Sequence, residues 1–177
     1  MILKKNLVFL GMMGSGKSSI GFLISKKLGL KFIDVDNIIE KVTGMDISTI
    51  FIRNGEDYFR NLEEKVTIKI LKSRNSIIAL GGGAFINEKI QKEVLSNNFS
   101  FWLKWDTKIL LKRINRSKKR PLAFNVKDLE LIDLIKRRSK VYSNAQFKIN
   151  CDNLSKTEIV KKILKINELY KNPSKNK

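Results

Sequence analysis

The residues from Gly11 to Ser18 carry the clearest chemical pattern in the sequence. They read Gly-Met-Met-Gly-Ser-Gly-Lys-Ser and match G-x-x-x-x-G-K-S/T, a phosphate-binding loop. Because glycines let the backbone curl, consecutive N–H groups can face an anion, and a following helix adds partial positive charge at its N-terminus. The pattern predicts that Lys17 reaches the β- and γ-phosphates of a nucleotide and that the Ser18 hydroxyl ligates Mg²⁺.

The sequence on either side has the order that such a loop requires. Residues 5–10 contain an apolar run typical of a buried strand. After the loop, apolar side chains recur at helical spacing, at Ile20, Leu23, Ile24 and Leu28. A glycine-rich turn with a chance lysine is the alternative interpretation, and the flanking strand and helix argue against it.

Two other polar groups follow predicted strands. Asp34 and Asp36 end the predicted strand 31–36, and Gly81-Gly82-Gly83 follows the predicted strand 76–80. Ligands of parallel sheets bind at the carboxyl ends of the strands, so we expect these groups to meet the phosphate loop. One aspartate can hold a Mg²⁺-bound water while the other positions a substrate hydroxyl for phosphoryl transfer. Alternatively, Asp36 caps the next helix, and the glycines form a flexible turn.

Several arginines are candidates for binding an anionic substrate. Arg60 lies on a predicted amphipathic helix, where Glu56 and Glu63 share its face by i, i+4 and i, i+3 spacing. Arg60 either joins a surface salt-bridge ladder or binds a carboxylate while Glu63 holds it in position. Arg137 and Arg138 pose the same choice, and helical periodicity does not decide which of them points inward.

A basic segment at 115–127 has no clear periodicity and lies between two predicted helices. It contains Arg120-Pro121-Leu122. Such a segment can act as a lid that closes over phosphates and brings an arginine to the transition state. An exposed charged loop is the alternative.

The composition excludes several kinds of protein. The 177 residues contain no histidine, so proton and charge work falls to Asp, Glu, Lys and Arg. Cys151 is the single cysteine, which excludes an intramolecular disulfide. The sequence shows neither an apolar run of membrane-spanning length nor a secretory signal. We therefore expect a cytoplasmic protein with no membrane partner.

The chain is strongly basic, with a net charge of +19 from 36 Lys and Arg against 17 Asp and Glu. Such a charge invites a nucleic-acid interpretation. The lysines are spread over nearly every predicted element, which is typical of a solvated surface and can speed encounters with polyanions such as ATP. We therefore do not expect nucleic acid as a partner.

Predicted strands and helices alternate along the chain. Five strands with intervening helices indicate an α/β protein with a parallel sheet covered on both faces. The length of 177 residues suits a single domain with one ample core.

Taken in order, these motifs resemble those of the shikimate kinase family over nearly the whole chain. The phosphate loop is shared with many kinases, whereas the other blocks in this order are specific. The matching pieces are residues 11–18, Phe-Ile-Asp-Val-Asp at 32–36, Ile-Phe…Asn-Gly-Glu-Asp-Tyr-Phe-Arg…Glu from 50 to 63, Leu-Gly-Gly-Gly-Ala at 80–84, Arg-Pro-Leu at 120–122 and Arg-Ser-Lys-Val-Tyr at 138–142.

The resemblance implies ATP-dependent phosphorylation of the 3-hydroxyl of shikimate, on the pathway to chorismate and aromatic amino acids. It implies a three-layer P-loop kinase fold of the nucleoside-monophosphate-kinase type, with a five-stranded parallel sheet in the order 2-3-1-4-5. Residues 1–170 would form one kinase domain, with a substrate-binding segment at about 34–63, a lid at about 115–126 and a basic tail at 171–177. ATP and shikimate are the expected partners, Mg²⁺ is the expected metal ion, and we expect a monomer.

The resemblance also assigns roles residue by residue. The catalytic residues would be Lys17, Asp36 and Arg120. The ATP-binding residues would be Gly14, Ser15, Gly16, Lys17, Ser18, Ser19 and Arg120. The shikimate-binding residues would be Asp36, Arg60, Gly82 and Arg138, with Phe51 and Phe59 lining the pocket. Ser18 would ligate Mg²⁺ directly and Asp34 through water. The resemblance thus selects Arg138 over Arg137.

Three positions depart from the family pattern. The lid continues Arg-Pro-Leu-Ala-Phe where relatives often have a second leucine, which leaves its packing open. Residues 152–154 offer no basic side chain for contacts with adenine, and Ser19 stands where threonine is common. Rival functions are another small-molecule P-loop kinase, a nucleic-acid-associated NTPase, and a nucleotide binder without catalysis. Intact Lys17, Asp36 and Arg120 argue against the last.

Overall fold

A computed structural model describes residues 5–116 and 128–171 of the chain. Its five strands are β1 (Leu7–Leu10), β2 (Lys31–Asp34), β3 (Ser76–Ala79), β4 (Phe99–Lys104) and β5 (Phe147–Asn150). Its helices are α1 (Lys17–Leu28), α2 (Val35–Thr43), α3 (Ile47–Leu71), α4 (Glu88–Asn97), α5 (Thr107–Asn115), α6 (Asp128–Tyr142) and α7 (Lys156–Lys171). A short 3-10 helix, Ala84–Ile86, follows the triple glycine.

The strands form one parallel sheet in the order β2-β3-β1-β4-β5, the order that the family resemblance implies. The central strand β1 pairs with β3, where Leu7 lies opposite Ile77, and with β4, where Leu7 lies opposite Phe99. All four residues of β1 are buried. A continuous apolar run is typical of a strand covered on both faces, and β1 has both covered.

Side chains of β1 alternate between two hydrophobic clusters. Leu7 and Phe9 pack with apolar side chains from α1 and α7. Val8 and Leu10 face the other side of the sheet, where they pack with side chains from α2, α3, α4, α5 and α6. The molecule therefore has three layers, helices–sheet–helices, in agreement with the expected fold class.

The largest departure from the predicted elements lies at the end of β2. The strand was expected to continue to Asp36, but it ends at Asp34, and Asp36 lies in the first turn of α2. Asp34, not Asp36, caps this helix, because its Oδ1 accepts a hydrogen bond of 3.2 Å from the Asp36 N–H. The two carboxylates therefore do not follow a strand's alternation.

Helix α3 is interrupted at the point where the sequence predicts a break. Gly55 has φ 82° and ψ 171°, a backbone conformation that glycine adopts without steric cost. The apolar patterns of residues 47–52 and 56–72 predict a short helix and a long one, and both occur, joined through this kink. The spacing of Ser155 and Glu158 in the sequence predicts a capping box, and the box forms at the start of α7. The Ser155 N–H donates to Glu158 Oε2, and the Glu158 N–H donates to Ser155 Oγ.

A polar cluster closes the opposite edge of the sheet, at the amino ends of the strands. The Asn6 amide nitrogen donates to the carbonyl oxygens of Leu71 and Ser73, at 3.1 and 2.6 Å, and to Asn98 Oδ1 at 2.7 Å. The Asn6 Oδ1 accepts from the Ser76 N–H at 3.0 Å. One buried side chain thus ties together the segments that precede β1, β3 and β4.

Candidate active site

The phosphate loop connects β1 to α1 and forms the centre of the candidate site. Three of its glycines, Gly11, Gly14 and Gly16, have positive φ angles of 138°, 76° and 94°. Residues that have a side chain rarely adopt such positive φ angles, so the loop can curl because glycine stands at these positions. The Lys17 ammonium is buried and donates to the carbonyl oxygens of Gly11 and Met12, at 2.8 and 3.1 Å. Lys17 therefore lies folded along the loop, next to the space that the loop surrounds.

Ser18 and Ser19 are exposed in the first turn of α1. Ser15 is buried within the loop, where its N–H donates to the Met12 carbonyl oxygen at 3.1 Å. The N-terminus of α1 carries no side-chain cap, so its first N–H groups remain available to an anion. The geometry is that of a phosphate cradle.

Charged side chains converge on the triple glycine that follows β3. A Cβ added to Gly81 would lie 2.5 Å from Glu63 Oε1 and 2.8 Å from Asp36 Oδ1. A Cβ added to Gly83 would lie 2.6 Å from Arg60 Nη1. These contacts are too short for any side chain, so the absence of side chains at 81–83 is what lets the charged groups meet there.

The same glycines lie against the phosphate loop. A Cβ added to Gly82 would lie 3.3 Å from the Met13 nitrogen and 3.7 Å from Arg138 Nη1. The structure therefore brings Asp36, Arg60, Gly82 and Arg138 to the edge of the sheet where the loop begins, as the carboxyl-end rule predicts.

Arg60 is held by two carboxylates. Its Nη1 donates to Glu63 Oε2 at 2.7 Å, while Nε and Nη2 donate to Glu56 Oε1 at 3.1 and 3.0 Å. Its guanidinium carbon also lies 5.1 Å from the ring centroid of Phe59 and 5.9 Å from that of Phe51. The salt-bridge ladder exists and also fixes the guanidinium against the triple glycine, while the binding of a substrate carboxylate by Arg60 stays a prediction.

Burial shapes the charges of this pair. Glu63 is almost completely buried, and burial raises its pKa above the ordinary value, although Arg60 and Arg138 partly oppose the rise. Burial alone would lower the pKa of Arg60, but Glu63 and Glu56 outweigh it and the pKa is raised. Arg60 therefore stays charged, and Glu63 takes up a proton at a higher pH than an ordinary glutamate does.

The structure resolves the choice between the two neighbouring arginines. Arg137 is exposed, whereas Arg138 is 8% exposed and its Nη1 donates to the Gly82 carbonyl oxygen at 3.2 Å. Periodicity could not make this choice because the two positions differ by a single step around α6.

Sequence reasoning gave no role to Tyr142. This residue lies one helical turn after Arg138 and is 2% exposed. Its hydroxyl donates to the Gly82 carbonyl oxygen, and burial raises its pKa to about 12, so the hydroxyl remains protonated. The i, i+4 spacing from Arg138 is the signal that could have found it.

Trp105 and Arg113 also border the phosphate loop, and sequence reasoning gave neither a role. The Trp105 Nε1–H donates to the Ser15 carbonyl oxygen at 2.9 Å, and the Arg113 guanidinium carbon lies 4.2 Å from the Trp105 ring centroid. Their contacts join residues far apart in the chain, and no spacing rule predicts them.

Some expected residues lie outside the part of the chain that the structure describes. Arg120 and nearly all of the expected lid fall within 117–127, and most of the expected basic tail falls within 172–177. Within the described ranges, no group of three or more acidic, histidine or cysteine side chains is arranged to hold a metal ion. Nor does any helix there have the length and apolarity to cross a bilayer.

Comparison with known proteins agrees with the geometry. The family model for shikimate kinase matches residues 13–168. A shikimate kinase of Thermodesulfovibrio yellowstonii is 37% identical over 169 residues, which cover 95% of this chain and 98% of that protein. A shikimate kinase of Bartonella quintana is 39% identical over 168 residues, covering 94% of this chain and 80% of that protein.

The structure is also similar to solved structures. The shikimate kinase of Acinetobacter baumannii, solved in complex with shikimate, has a TM-score of 0.88 and 30% sequence identity, with 94% of each chain covered. The fold, the converging charged groups and these matches lead to one assignment: the chain belongs to the shikimate kinase family.

Proposed function

We propose that this protein transfers the γ-phosphoryl group of ATP to the 3-hydroxyl of shikimate. The observation that carries the proposal is the meeting of Asp36, Arg60 and Arg138 at the triple glycine, directly beside the phosphate loop. Shikimate is a small carboxylate with several hydroxyls. Its recognition requires guanidinium groups for the carboxylate and an acceptor for the hydroxyls, and this cluster supplies both.

Arg60 and Arg138 are proposed to bind the substrate carboxylate. Both guanidinium groups lie against the glycine backbone, Arg60 at Gly83 and Arg138 at Gly82. Glu56, Glu63 and the Gly82 carbonyl oxygen already fix their positions through hydrogen bonds. A guanidinium group that is already held in position loses little side-chain entropy when it binds a carboxylate. This favours both the affinity for the substrate and its correct orientation. Phe51 and Phe59, with ring centroids 4.5 Å apart, form the apolar wall beside Arg60.

Asp36 is proposed to accept a hydrogen bond from the attacking hydroxyl. Its carboxylate lies beside Gly81, and the next residue, Gly82, lies against both Met13 of the phosphate loop and Arg138. In the reaction the substrate oxygen forms a bond to the γ-phosphorus while the bond from that phosphorus to the β,γ-bridging oxygen breaks. The proton of the hydroxyl passes to a carboxylate or water as the new bond forms. Because phosphoryl transfer has a loose transition state, positioning of the hydroxyl contributes more than its prior deprotonation.

The phosphate loop and Lys17 are proposed to bind the ATP phosphates, with Gly14, Ser15, Gly16, Ser18 and Ser19 completing the set. A cation at the β- and γ-phosphates stabilises the charge that develops on the leaving oxygen. Lys17 lies along the loop where such phosphates would bind.

The chain is consistent with a Mg²⁺ ion held mainly by substrate. Mg²⁺ in kinases is bound by phosphates, waters and one or two protein oxygens, not by an all-protein cage. The exposed Ser18 hydroxyl in the first turn of α1 suits a direct ligand, and Asp34 at the end of β2 suits a ligand through water. When bound, the ion would neutralise phosphate charge.

Shikimate-dependent ATP turnover, measured by coupled detection of ADP, tests the proposal. We expect activity with shikimate and none above background with a sugar acid or a nucleoside monophosphate as acceptor. Turnover with another acceptor and not with shikimate would assign a different small-molecule kinase. ATPase activity stimulated by nucleic acid, with salt-sensitive binding, would support the rival suggested by the net charge. Light scattering after size-exclusion chromatography tests the expected monomer.

A further inference from the structure

Trp105 occupies a position that the family motifs do not cover. It is the first residue after β4, and β4 pairs with β1, where Trp102 lies opposite Leu10. The chain that leaves β4 therefore emerges next to the phosphate loop that leaves β1. The Trp105 ring is partly buried and packs against the hydrophobic clusters on both sides of the sheet. This double packing fixes the indole at the border of the loop.

The indole N–H binds the backbone of the loop. It donates to the Ser15 carbonyl oxygen at 2.9 Å. A phosphate cradle works only when its N–H groups face the anion and its carbonyl oxygens point away, since a carbonyl oxygen repels an anion. A donor outside the loop that binds a loop carbonyl holds that peptide in the required orientation.

The face of the same ring binds Arg113 of α5. The guanidinium carbon lies 4.2 Å from the ring centroid, a close cation–π contact. Arg113 Cβ lies 3.7 Å from the place of a Cβ on Gly14, and its Nη2 lies 3.7 Å from the place of a Cβ on Gly16. The indole N–H, which lies in the ring plane, binds the loop, and the ring face binds the Arg113 guanidinium. One side chain therefore holds both the loop and the cation beside it.

We propose that Trp105 is a positioning residue for nucleotide binding, which orients the Ser15 peptide through its N–H and holds Arg113 along the loop through its ring. The inference rests on the proposed function, because it takes the loop to bind ATP phosphates. It predicts that the two interactions can be removed separately, since they use different parts of the indole.

The test compares Trp105→Phe, which keeps an aromatic face and loses the N–H donor, with Trp105→Leu, which loses both. We expect Trp105→Phe to raise the KM for ATP about five-fold, the effect of one hydrogen bond, and Trp105→Leu to raise it roughly ten-fold or more. The KM for shikimate should change less than about two-fold in both. Titration calorimetry with the non-hydrolysable β,γ-imido analogue of ATP should show the same ranking of dissociation constants.

Arg113→Ala and Lys112→Ala form a matched pair on α5. Both remove one positive charge, but Lys112 is exposed, whereas Arg113 lies against the Trp105 ring and beside Gly14 and Gly16. We expect weaker analogue binding in Arg113→Ala alone. In addition, Trp105 and Trp102 are the two tryptophans, and Trp102 also lies near the loop, 3.4 Å from the place of a Cβ on Gly11. Analogue binding should change the indole emission of the wild type, and the change should be smaller in Trp105→Phe.

Unchanged analogue affinity in Trp105→Phe and Trp105→Leu would overturn the inference. An equal rise in the KM for both substrates, accompanied by a lower melting temperature, would also overturn it, because a purely structural role predicts that pattern. If Trp105→Leu fails to fold, the conservative Trp105→Phe decides. Wild-type protein that binds the analogue but does not phosphorylate shikimate would contradict the proposed function while leaving this inference in place.

Discussion

The two edges of the sheet both contain buried polar side chains, and they use them in opposite ways. At the amino edge, the uncharged Asn6 side chain makes four hydrogen bonds to the two segments that lead into β3 and β4. At the carboxyl edge, Arg60, Glu63 and Arg138 concentrate charge around bare glycine backbone. Neutral groups that satisfy one another stabilise a structure, whereas charged groups gathered around open backbone are suited to a ligand. The amino edge therefore holds the strands together, whereas the carboxyl edge is the part that we propose binds the substrates.

The largest expected effect is at the carboxyl edge, in Asp36→Asn. We expect kcat to fall about 100-fold or more, because the amide is a weaker acceptor for the attacking hydroxyl. The dissociation constant for the ATP analogue should stay within about two-fold of the wild type. Steady-state kinetics and titration calorimetry provide the two numbers. Equal losses in turnover and in nucleotide binding would contradict the proposed role.

Arg60→Ala should weaken shikimate binding by about 2–4 kcal/mol, since a partly desolvated charged contact is lost. Lys69→Ala is the matched control, because Lys69 is an exposed cation on the same helix. Arg60→Lys should recover only part of the affinity, because an ammonium cannot reproduce the fork that binds Glu56 and Glu63. Shikimate affinity that is the same in Arg60→Ala and Lys69→Ala would remove Arg60 from the site.

Asn6→Ala tests whether the amino edge contributes to stability and not to substrate binding. We expect the free energy of unfolding to fall by about 2–3 kcal/mol, because several buried backbone groups lose their partner. The KM values for both substrates should stay unchanged. Urea denaturation followed by circular dichroism gives the first quantity, and the coupled assay gives the others. A selective rise in either KM would contradict the proposed division between a stabilising amino edge and a substrate-binding carboxyl edge.

Tyr142→Phe should have a smaller effect of about 1 kcal/mol, one neutral hydrogen bond. The hydroxyl bonds the Gly82 carbonyl oxygen, so we expect a several-fold rise in the KM for shikimate and little change in the KM for ATP. If the KM for ATP rose more than that for shikimate, Gly82 would belong to the nucleotide half of the site.

The smallest effect is a dependence of stability on pH at Glu63. Burial raises its pKa in the folded protein above the unfolded value, so the folded state takes up this proton first as the pH falls. The wild type should therefore gain stability relative to Glu63→Gln as the pH is lowered from 7 toward the ordinary glutamate value of 4.5. Melting temperatures of both proteins at matched pH values measure this difference. A relative loss over that interval would show that Arg60 dominates instead of burial.

Local sequence patterns predicted most of the strands and helices, and the family resemblance supplied the order of the strands in the sheet. The apolar run of β1 is continuous because the strand is covered on both faces, and Gly55 interrupts α3 because only glycine suits that backbone. The end of β2 was predicted wrongly: the strand ends two residues before Asp36, because a capping hydrogen bond from the Asp36 N–H to Asp34 starts α2 at Val35. Trp105 and Arg113 were missed because their partners in the phosphate loop are distant in sequence, and local spacing says nothing about such contacts. Tyr142 was missed although its i, i+4 spacing from Arg138 places it on the same face of α6.

The bare backbone at 81–83 limits how this protein can change. A side chain at Gly81 would displace a carboxylate, one at Gly83 would displace the Arg60 guanidinium, and one at Gly82 would press on the Met13 nitrogen of the phosphate loop. Variation has to come from the side chains that surround it, above all Phe51 and Phe59 beside Arg60. A directed-evolution library for other hydroxy acids should leave the three glycines untouched and randomise those aromatic positions.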